Sequence, residues 1–490
     1  MPAGTRSLNL SQREAIARSR MAPAQGDTRR MPVWALSIIC LGAATYAVLF
    51  VLAIARTNTE LLQALTLAPV LVALVVPIAL HIARAERDPT LVGIVMAGIV
   101  AKLLGGLLRF YVAFEVYSNS DSLQYHLAGE QLVDRFRDGI FDPGIGQIAG
   151  TNFIKIFTGI VYSTLGVSRI GAFLVYSWIG FLGLVLMARA FRVAVPNGDS
   201  RRYLILVLFL PSLIYWPSAI GKEAWMMLAL GLCAYGIACL LRGRATGVVS
   251  LGIGLLAVVM VRPHMSLIIF VGFVLALLVR RVPARTYAAP LFRIFGLIAL
   301  LVVGVLLAGQ TAEFIGQPTL TAEAVTTRLE YTENQTADGG SEFSPVNVNT
   351  PIDMAPAFVT VFFRPFVFEA SNGQALLSAV EAMLLFLIAC ASWKRIRAVP
   401  RIFRSTPYVA FCIGYVLVFV YAFSSFSNFG LLARQRVQAL PFLLVLFALP
   451  EFQTLPRTRR SRRTRAVPVP RAPTRRARRP PTAELGTGST

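Results

Sequence analysis

The sequence predicts an all-α polytopic membrane protein with about 12 transmembrane helices, within a range of about 11–13. Of its 490 residues, 56% are hydrophobic and only 14% are charged. A soluble fold could not cover that much apolar surface. Apolar runs of membrane-spanning length occur at about 34–55, 61–82, 91–113, 170–191, 203–219, 224–241, 246–261, 265–280, 290–309, 374–392, 406–424 and 437–451.

Lys and Arg residues between these runs predict the orientation, because they favour the cytoplasmic side of a membrane. They occur at Arg84, Arg87, Arg189, Arg192, Arg201, Arg202, Arg242, Arg244, Arg280, Arg281, Arg285, Lys394, Arg395, Arg397, Arg401 and Arg404. Twelve spans with both termini cytoplasmic satisfy all of these positions at once. The protein is therefore expected in the cytoplasmic (inner or plasma) membrane.

The two ends of the chain differ from the middle. Residues 1–32 and 453–490 are rich in Arg, Pro, Ser or Thr, and they are expected to be disordered cytoplasmic tails around a membrane domain of residues 33–452. They account for much of the net charge of +23, and contact with anionic lipid explains them. No nucleic acid partner is expected, because the tails lack aromatic or folded readout elements.

Two long loops face outward in this topology, residues 114–150 and 310–373. In the first, Leu123, Leu127, Leu132, Phe136 and Ile140 recur at spacings that predict a helix over Ser120–Ile140, lying in the membrane interface. Residues 148–166 are apolar enough to enter the membrane. Lys155 and Asn152 within the run favour a re-entrant or interfacial segment, and two closely spaced spans are the alternative.

Asp121 begins the predicted interfacial helix and is the candidate catalytic residue. An acidic residue in the first turn also stabilises a helix by roughly 0.3–1 kcal/mol, with Ser120 as the cap, so a structural role is the competing interpretation. Tyr125 and His126 follow it as secondary candidates. For His126, packing at the interface is the competing role.

Two outer turns carry further candidates. Lys222 and Glu223 follow the end of one span and begin the next, and Lys222 is predicted to bind phosphate. Arg262 precedes Pro263, which suits the first position of a helix, and His264 is a secondary candidate. The alternatives are that Lys222 and Glu223 mark a water-exposed hairpin and that Arg262 snorkels to the interface.

The last group of candidates lies late in the chain. Arg364 and Glu369 fall in an aromatic stretch, and Asn428, Arg434 and Arg436 lie at the outer start of the last span. Positive charge is disfavoured there by the topology rule, which weakens a purely structural explanation. Arg364, Arg434 and Arg436 are therefore predicted to bind phosphate with Lys222 and Arg262.

Together these residues predict one outward-facing cavity with an excess of positive charge, suited to an amphiphilic substrate with phosphate at the membrane surface. No cofactor is required; a divalent metal is compatible with the site, but a lone outer Asp is a poor cation ligand. No metal ligand is assigned. The five cysteines all lie in apolar runs without disulfide or metal-site spacing.

Asp121 with Tyr125, His126 and Ala128 resembles the acidic outer loop of the GT-C class of membrane glycosyltransferases, which use polyprenyl-phosphate-linked sugars. Lys222-Glu223 falls where that class often has a second polar motif. Two extra spans precede the acidic loop, and Ser122 stands where the class usually has a paired acid. The outer-face arginines and the acidic outer loop of residues 310–373 resemble instead the polysaccharide polymerases and ligases.

The resemblance implies an enzyme of cell-envelope polysaccharide biosynthesis that transfers a sugar or glycan from a polyprenyl-(pyro)phosphate carrier at the outer face. The alternative is a transporter or flippase of a lipid-linked glycan or anionic solute, with ionisable groups expected near the membrane midplane. Only Lys102, Lys155 and Glu381 lie near such positions. A scaffold without a site is the third interpretation.

Overall fold

The computed structural model describes residues 33–116, 120–140, 142–144, 146, 148–280, 289–314, 316–317, 319–336, 342–370 and 373–451. Within these ranges the chain is helical and forms no strand; one isolated antiparallel bridge joins Glu342 and Asn428. The predicted tails, and the loop arginines Arg281 and Arg285, lie outside the described residues.

The α-helices follow in chain order. They are α1 Val33–Ala55, α2 Thr59–Glu86, α3 Thr90–Tyr111, α4 Asp121–Gln131, α5 Val133–Arg137, α6 Thr151–Leu165, α7 Arg169–Ala194, α8 Ser200–Phe209, α9 Pro211–Tyr215, α10 Lys222–Leu241, α11 Gly247–Val259, α12 Pro263–Val279, α13 Ala289–Phe314, α14 Ala322–Thr336, α15 Met354–Phe363, α16 Gly373–Ala391, α17 Trp393–Ile396, α18 Val399–Ser405, α19 Pro407–Phe423, α20 Phe429–Arg436 and α21 Leu440–Phe447. A π-helical turn, Val112–Val116, extends α3.

Four helices in the described ranges are long and apolar enough to cross a membrane: Thr59–Glu86, α3 with its π turn (Thr90–Val116), Arg169–Ala194 and Lys222–Leu241. The number rises to six if each of two bent pairs, α18 with α19 and α20 with α21, counts as one span. Other apolar runs form shorter helices of 10–17 residues. Large apolar side chains are exposed on the outside, for example Leu104 at 59%, as expected where lipid is the solvent.

The centre of the bundle is the pair α7 and α10. Glycines let the two backbones approach closely: a Cβ on Gly183 would lie 2.2 Å from the Met227 carbonyl oxygen, and one on Gly231 would lie 2.4 Å from the Gly183 carbonyl oxygen. Small residues at such crossings permit the van der Waals contact that drives helix association in lipid. Most of both helices is therefore buried.

The apolar run predicted at 203–219 is not one continuous helix. Pro211 lacks an amide donor and begins a new helix, so α8 ends at Phe209 and α9 starts after an extended Leu210. A 3₁₀ turn over Trp216–Ser218 follows. The buried ammonium of Lys102 donates to the Leu213 carbonyl at 2.5 Å. The residue that would bond this carbonyl in a continuous helix is Pro217, which has no amide hydrogen. The interrupted segment thus lies beside a buried cation.

The predicted interfacial helix is divided at Leu132 into α4 and α5. Its packed face also differs from the prediction, because Leu127 and Ile140 are each 49% exposed. Ser122, Tyr125, Gly129 and the Leu132–Phe136 segment are buried instead. The partner is α6: a Cβ on Gly129 would lie 2.7 Å from the Thr158 side chain. Packing against α6 therefore accounts for the buried side of this segment.

Residues 148–166 and 310–373 each contain helix. The first holds α6, whose 15 residues span about 22 Å and fall short of a membrane crossing. The second holds the end of α13, then α14, α15 and a 3₁₀ turn, Val367–Glu369. Within it, Phe343 donates its amide hydrogen to the Ser427 carbonyl at 2.8 Å. This loop is therefore attached to the segment that precedes α20.

Candidate functional site

Four chain segments meet at one end of the bundle. They are the N-terminus of α4, the N-terminus of α10, the turn before α12 and the C-terminal part of α20, and they contribute Asp121, Glu223, Arg262 and Arg434 respectively. The Ser122 hydroxyl donates to the Ile220 carbonyl at 2.9 Å, which fixes the start of α4 against the turn before α10. We call this group the Glu223 cluster.

Glu223 is the centre of the cluster and is 3% exposed. Its Oε1 accepts from Arg262 Nη2 at 2.9 Å and from Arg434 Nε at 2.8 Å, and its Oε2 accepts from Arg434 Nη2 at 3.1 Å. Charge-assisted bonds of this geometry are the stronger class of hydrogen bond. One carboxylate thus holds two arginines that belong to different helices.

Asp121 lies at the outer edge of the cluster. Its Oδ2 accepts from Arg434 Nη1 at 2.7 Å, while 55% of its side chain remains exposed. Ser120 occupies the N-cap position of α4, but its hydroxyl makes no capping hydrogen bond, so the expected Ser120 cap is wrong. Asp121 is therefore oriented by Arg434 and open to solvent.

Tyr125 lies beneath Asp121 and is 3% exposed. Burial raises the pKa of Tyr125 to about 12, and the neighbouring carboxylates Glu223 and Asp121 act in the same direction. The phenol consequently stays protonated at neutral pH. It is not a proton acceptor for chemistry at this site.

Lys222 stands apart from its charged neighbours. Within the described residues it has no carboxylate within 4.0 Å, whereas Arg262 and Arg434 are both paired. It is partly buried at the first position of α10. Lys222 is thus the cation of this cluster whose charge is least compensated, which suits it to an incoming anion.

Arg364 and Arg436, also predicted to bind phosphate, lie in two other ion pairs. Arg364 binds Glu369 through Nε and Nη2, with the shortest distance 2.6 Å, and lies over the stacked rings of Phe343 and Phe429. Burial acts to raise the pKa of Glu369, but hydrogen bonds from Arg364 and the Phe366 amide outweigh it and lower that pKa.

Arg436 is 1% exposed. It donates to the Arg364 carbonyl at 2.9 Å and pairs with Glu381 at 3.3 Å. Glu381 also accepts from the amide and the hydroxyl of Ser212, at the break between α8 and α9. The Arg436 guanidinium is therefore inside the bundle and bound to protein groups.

The other secondary candidates have partners of their own. Asn428 caps α20 by accepting from the Gly430 and Leu431 amides at 2.9 and 3.2 Å. His126 Nδ1 lies 2.9 Å from the Tyr162 hydroxyl, and burial lowers the pKa of His126. His264 packs against the ring of Phe314. These contacts give each of the three a structural role.

The expected excess of positive charge is smaller than the sequence indicated. The sequence indicated five cations but not which carboxylates pair with them. It also gave no sign of the role of Gln435, which accepts from Arg262 at 2.8 Å. It noted Glu381 only as a mid-span exception. The five cations face four carboxylates, Asp121, Glu223, Glu369 and Glu381. Gln435 could have been found from its position between the two arginines of α20.

In the part of the chain that is described, no group of three or more His, Cys, Asp or Glu residues could hold a metal ion. Comparison of the chain with protein-family models, with curated proteins and with solved structures found no match. The geometry of the site is therefore the basis on which a function is proposed below.

Proposed function

We propose that the protein is a membrane glycosyltransferase or polymerase of cell-envelope polysaccharide assembly. It transfers a sugar or glycan from a polyprenyl-(pyro)phosphate carrier at the outer face of the cytoplasmic membrane. In this proposal about twelve segments cross the membrane, both termini are cytoplasmic, and the Glu223 cluster faces outward. The single observation that supports it best is the Glu223 cluster together with the adjacent Lys222: an open carboxylate, Asp121, lies near the ammonium whose charge is least compensated.

Each residue of the cluster has a role in the proposed reaction. Lys222 binds phosphate oxygens of the donor, and Asp121 is the general base toward the acceptor hydroxyl. Arg434 orients Asp121 through its 2.7 Å hydrogen bond. Glu223 holds Arg434 and Arg262 in place, so that both guanidinium groups contribute a fixed positive field around the leaving group.

The proposed step is a direct displacement at the anomeric carbon of the donor sugar. The acceptor oxygen forms the new bond to that carbon while the bond to the phosphate oxygen breaks, and the acceptor proton passes to Asp121. The polyprenyl (pyro)phosphate leaves with the electron pair, and Lys222 and the arginines stabilise its charge. The anomeric configuration is inverted.

The substitution Asp121→Asn tests this role, because asparagine retains an oxygen that accepts from Arg434 but cannot take a proton. We expect transfer activity to fall by about 10²–10⁴-fold, the range of general base catalysis. Asp134→Asn is the matched control, since Asp134 is exposed on the neighbouring α5. The measurement is mass spectrometry of the lipid-linked glycans of a strain that lacks the protein and is complemented with each variant.

Accumulation of one lipid-linked intermediate in the deletion strain and with Asp121→Asn, but not with Asp134→Asn, is the expected result. An unchanged pool of lipid-linked glycans in the deletion strain would exclude glycan transfer. Full activity of Asp121→Asn would exclude Asp121 as the base while leaving the class of enzyme intact.

A transporter of a lipid-linked glycan or anionic solute is the second candidate, and one observation favours it. Lys102 and the Arg436–Glu381 pair are ionisable groups buried within the helical bundle, where such groups often mark transport pathways. Movement of a lipid-linked glycan across proteoliposomes without a change in its mass would support transport over transfer.

A further inference from the structure

An apolar cavity of about 350 Å³ lies beside the Glu223 cluster but is lined by none of its residues. Its walls come from α12, the end of α13, α14 and the end of α19. Arg262 immediately precedes α12, and His264, the second residue of that helix, lines the cavity. Nothing in the proposed reaction uses this space. We call it the α14 cavity.

The lining of the α14 cavity is mostly apolar. The majority of its residues have aliphatic or phenyl side chains, among them Ile268, Val271 and Phe426. The hydroxyls of Thr311 and Thr332 donate to backbone carbonyls of their own helices, at 2.7 and 2.8 Å. Because a buried water molecule needs roughly two to four polar partners, this lining favours an apolar occupant over water.

His264 adds no charge to this lining. Burial lowers the pKa of His264, and nearby positive charges, Arg328 among them, act in the same direction. The imidazole is therefore neutral at pH 7, and it packs on the ring of Phe314 with 5.3 Å between the ring centroids. Among the described residues that line the cavity, Arg328 is then the only one that is charged.

One face of α14 forms a wall of the cavity. Val325, Leu329 and Thr332 follow one another at spacings of four and three, which places them on the same side of the helix, and all three line the cavity. Thr327 and Glu330 lie elsewhere on the helix and are exposed. An amphipathic helix buries its apolar face, so whatever fills the cavity also packs against α14.

The cavity connects an apolar opening with a cation on the water side. Val271, which lines it, is 41% exposed and belongs to an apolar run of membrane-spanning length. Arg328 lies toward water, because its guanidinium is 4.8 Å from the centroid of the Tyr331 ring and Tyr331 is 50% exposed. An apolar space next to an exposed cation matches the chain and the headgroup of a lipid.

We propose that the α14 cavity binds one acyl chain of a phospholipid, with the phosphate of the headgroup at Arg328. Lipid tails are as apolar as leucine side chains, and they surround a membrane protein at high concentration. A guanidinium binds phosphate oxygens in a bidentate manner, and the volume lies within the roughly 300–1,000 Å³ typical of ligand sites. Snorkelling alone would also place Arg328 toward water, but it gives no preference for phosphate. The site is independent of the proposed transfer reaction.

The test measures lipid binding to the full chain by native mass spectrometry, in detergent micelles that remove loosely held lipid. The two probes have the same acyl chains: phosphatidylcholine carries a phosphate, and diacylglycerol does not. Leu329→Trp fills the cavity, and Thr327→Trp, on the exposed side of α14, is its control. Arg328→Gln removes the guanidinium, and Arg56→Gln, at an exposed arginine that does not line the cavity, is its control.

We expect the wild type and both controls to retain one phosphatidylcholine per chain, and Leu329→Trp to retain none. Arg328→Gln should bind phosphatidylcholine about tenfold more weakly than the wild type, as for the loss of a charge-assisted hydrogen bond. The same variant should bind diacylglycerol as the wild type does. This difference between the two probes requires a phosphate at Arg328, and an arginine with only a structural role would not produce it.

Several results would overturn the proposal. They are a wild type that retains no lipid, equal retention by the wild type and Leu329→Trp, and an equal loss of both probes in Arg328→Gln. Displacement of phosphatidylcholine by an equal concentration of a polyprenyl phosphate would overturn it too, because the cavity would then hold the chain of the proposed donor. Arg328→Gln leaves the apolar lining unchanged, so the comparison of the two probes decides the matter even if Leu329→Trp does not fold.

Discussion

Replacing Glu223 by glutamine is expected to destabilise the protein by about 3–5 kcal/mol, because it removes the charge that holds the buried Arg262 and the partly buried Arg434. A glutamine occupies nearly the same volume, but it offers one acceptor oxygen. With that oxygen in the place of Oε1, its amide group is directed at the N–H group of Arg434 Nη2. The substitution therefore tests charge and hydrogen bonding, with little change in packing.

The two arginines lose different amounts of stabilisation. Arg434 keeps Asp121 as a counter-ion at 2.7 Å. Arg262 keeps only the neutral Gln435 oxygen at 2.8 Å, and 9% of its side chain is exposed. Since a buried charge without a counter-ion is the costly case, most of the 3–5 kcal/mol is expected from Arg262.

The assay is the free energy of unfolding in bicelles, obtained by titration with dodecyl sulfate and followed by tryptophan fluorescence. Glu60→Gln is the matched control. Glu60 accepts two bonds of 3.1 Å from the Arg169 guanidinium and one of 2.8 Å from the Arg169 amide, but the side chains of the pair are 26% and 41% exposed. An ion pair this accessible to solvent contributes about 0.2–1 kcal/mol. Since the glutamine oxygen can still accept from the Arg169 amide, this variant should lose no more than about 1 kcal/mol.

A double variant separates the energy of the Glu223–Arg434 ion pair from any general effect of the substitutions on folding. Glu223→Gln combined with Arg434→Gln should lose less than the sum of the two single variants, with a coupling energy of about 0.5–3 kcal/mol. A loss below about 1 kcal/mol for Glu223→Gln, or losses that simply add in the double variant, would refute the conclusion that Glu223 and Arg262 are shielded from water.

Three further predictions concern other parts of the molecule. Gly183→Ala should destabilise the protein by about 1–3 kcal/mol, because the new Cβ has no room against α10. Gly252→Ala is the control and should not destabilise it, because a Cβ there meets nothing within 4 Å. Equal unfolding midpoints of the two variants would contradict the close α7–α10 contact. Burial lowers the pKa of His126 in the folded state. The stability that this residue contributes above its ordinary pKa of about 6.5 should therefore be lost as the pH falls through the folded pKa. If the thermal midpoint of His126→Gln falls as steeply between pH 7.5 and 5.5 as that of the wild type, His126 is not the cause. Lys102→Met removes a buried cation that has no carboxylate within 4.0 Å among the described residues, and it loses the bonds to the Leu213 and Ile214 carbonyls. The free energy of unfolding should therefore stay within about 1–2 kcal/mol of wild type. A loss above about 3 kcal/mol would mean that capping these α9 carbonyls outweighs the cost of burying the charge.

The helical class could be predicted from the sequence because apolar runs are a local property, and the described residues are helical as expected. The breaks were harder to predict. Pro211 divides the 203–219 run, although its effect could have been expected from its missing amide donor. The buried side of α4 includes Ser122 and Gly129, which carry no hydrophobic signal; they are buried because they allow close contact with Ile220 and α6.

The candidate site could be predicted in part. Sequence reasoning named Asp121, Lys222, Glu223, Arg262 and Arg434, and the structure brings these together. It also grouped Arg364 and Arg436 with them, and these have partners elsewhere. The pairings could not be predicted because they join residues far apart in the chain: Arg434 is 211 positions from Glu223 and 313 from Asp121. Rules on charge and membrane orientation concern neighbouring residues, and they do not tell which residues far apart in the sequence come into contact.

The position of Arg434 in the chain has a consequence for biosynthesis. Asp121 and then Glu223 emerge from the ribosome first, Arg262 follows 39 residues after Glu223, and Arg434 arrives only with α20. Until then Glu223 has one of its two counter-ions, Asp121 has none from this cluster, and Phe343 lacks the ring of Phe429 on which it stacks. The nascent protein is therefore without an assembled Glu223 cluster until its last helices enter the membrane, and a chain terminated before residue 429 would insert most of its helices yet never complete the site.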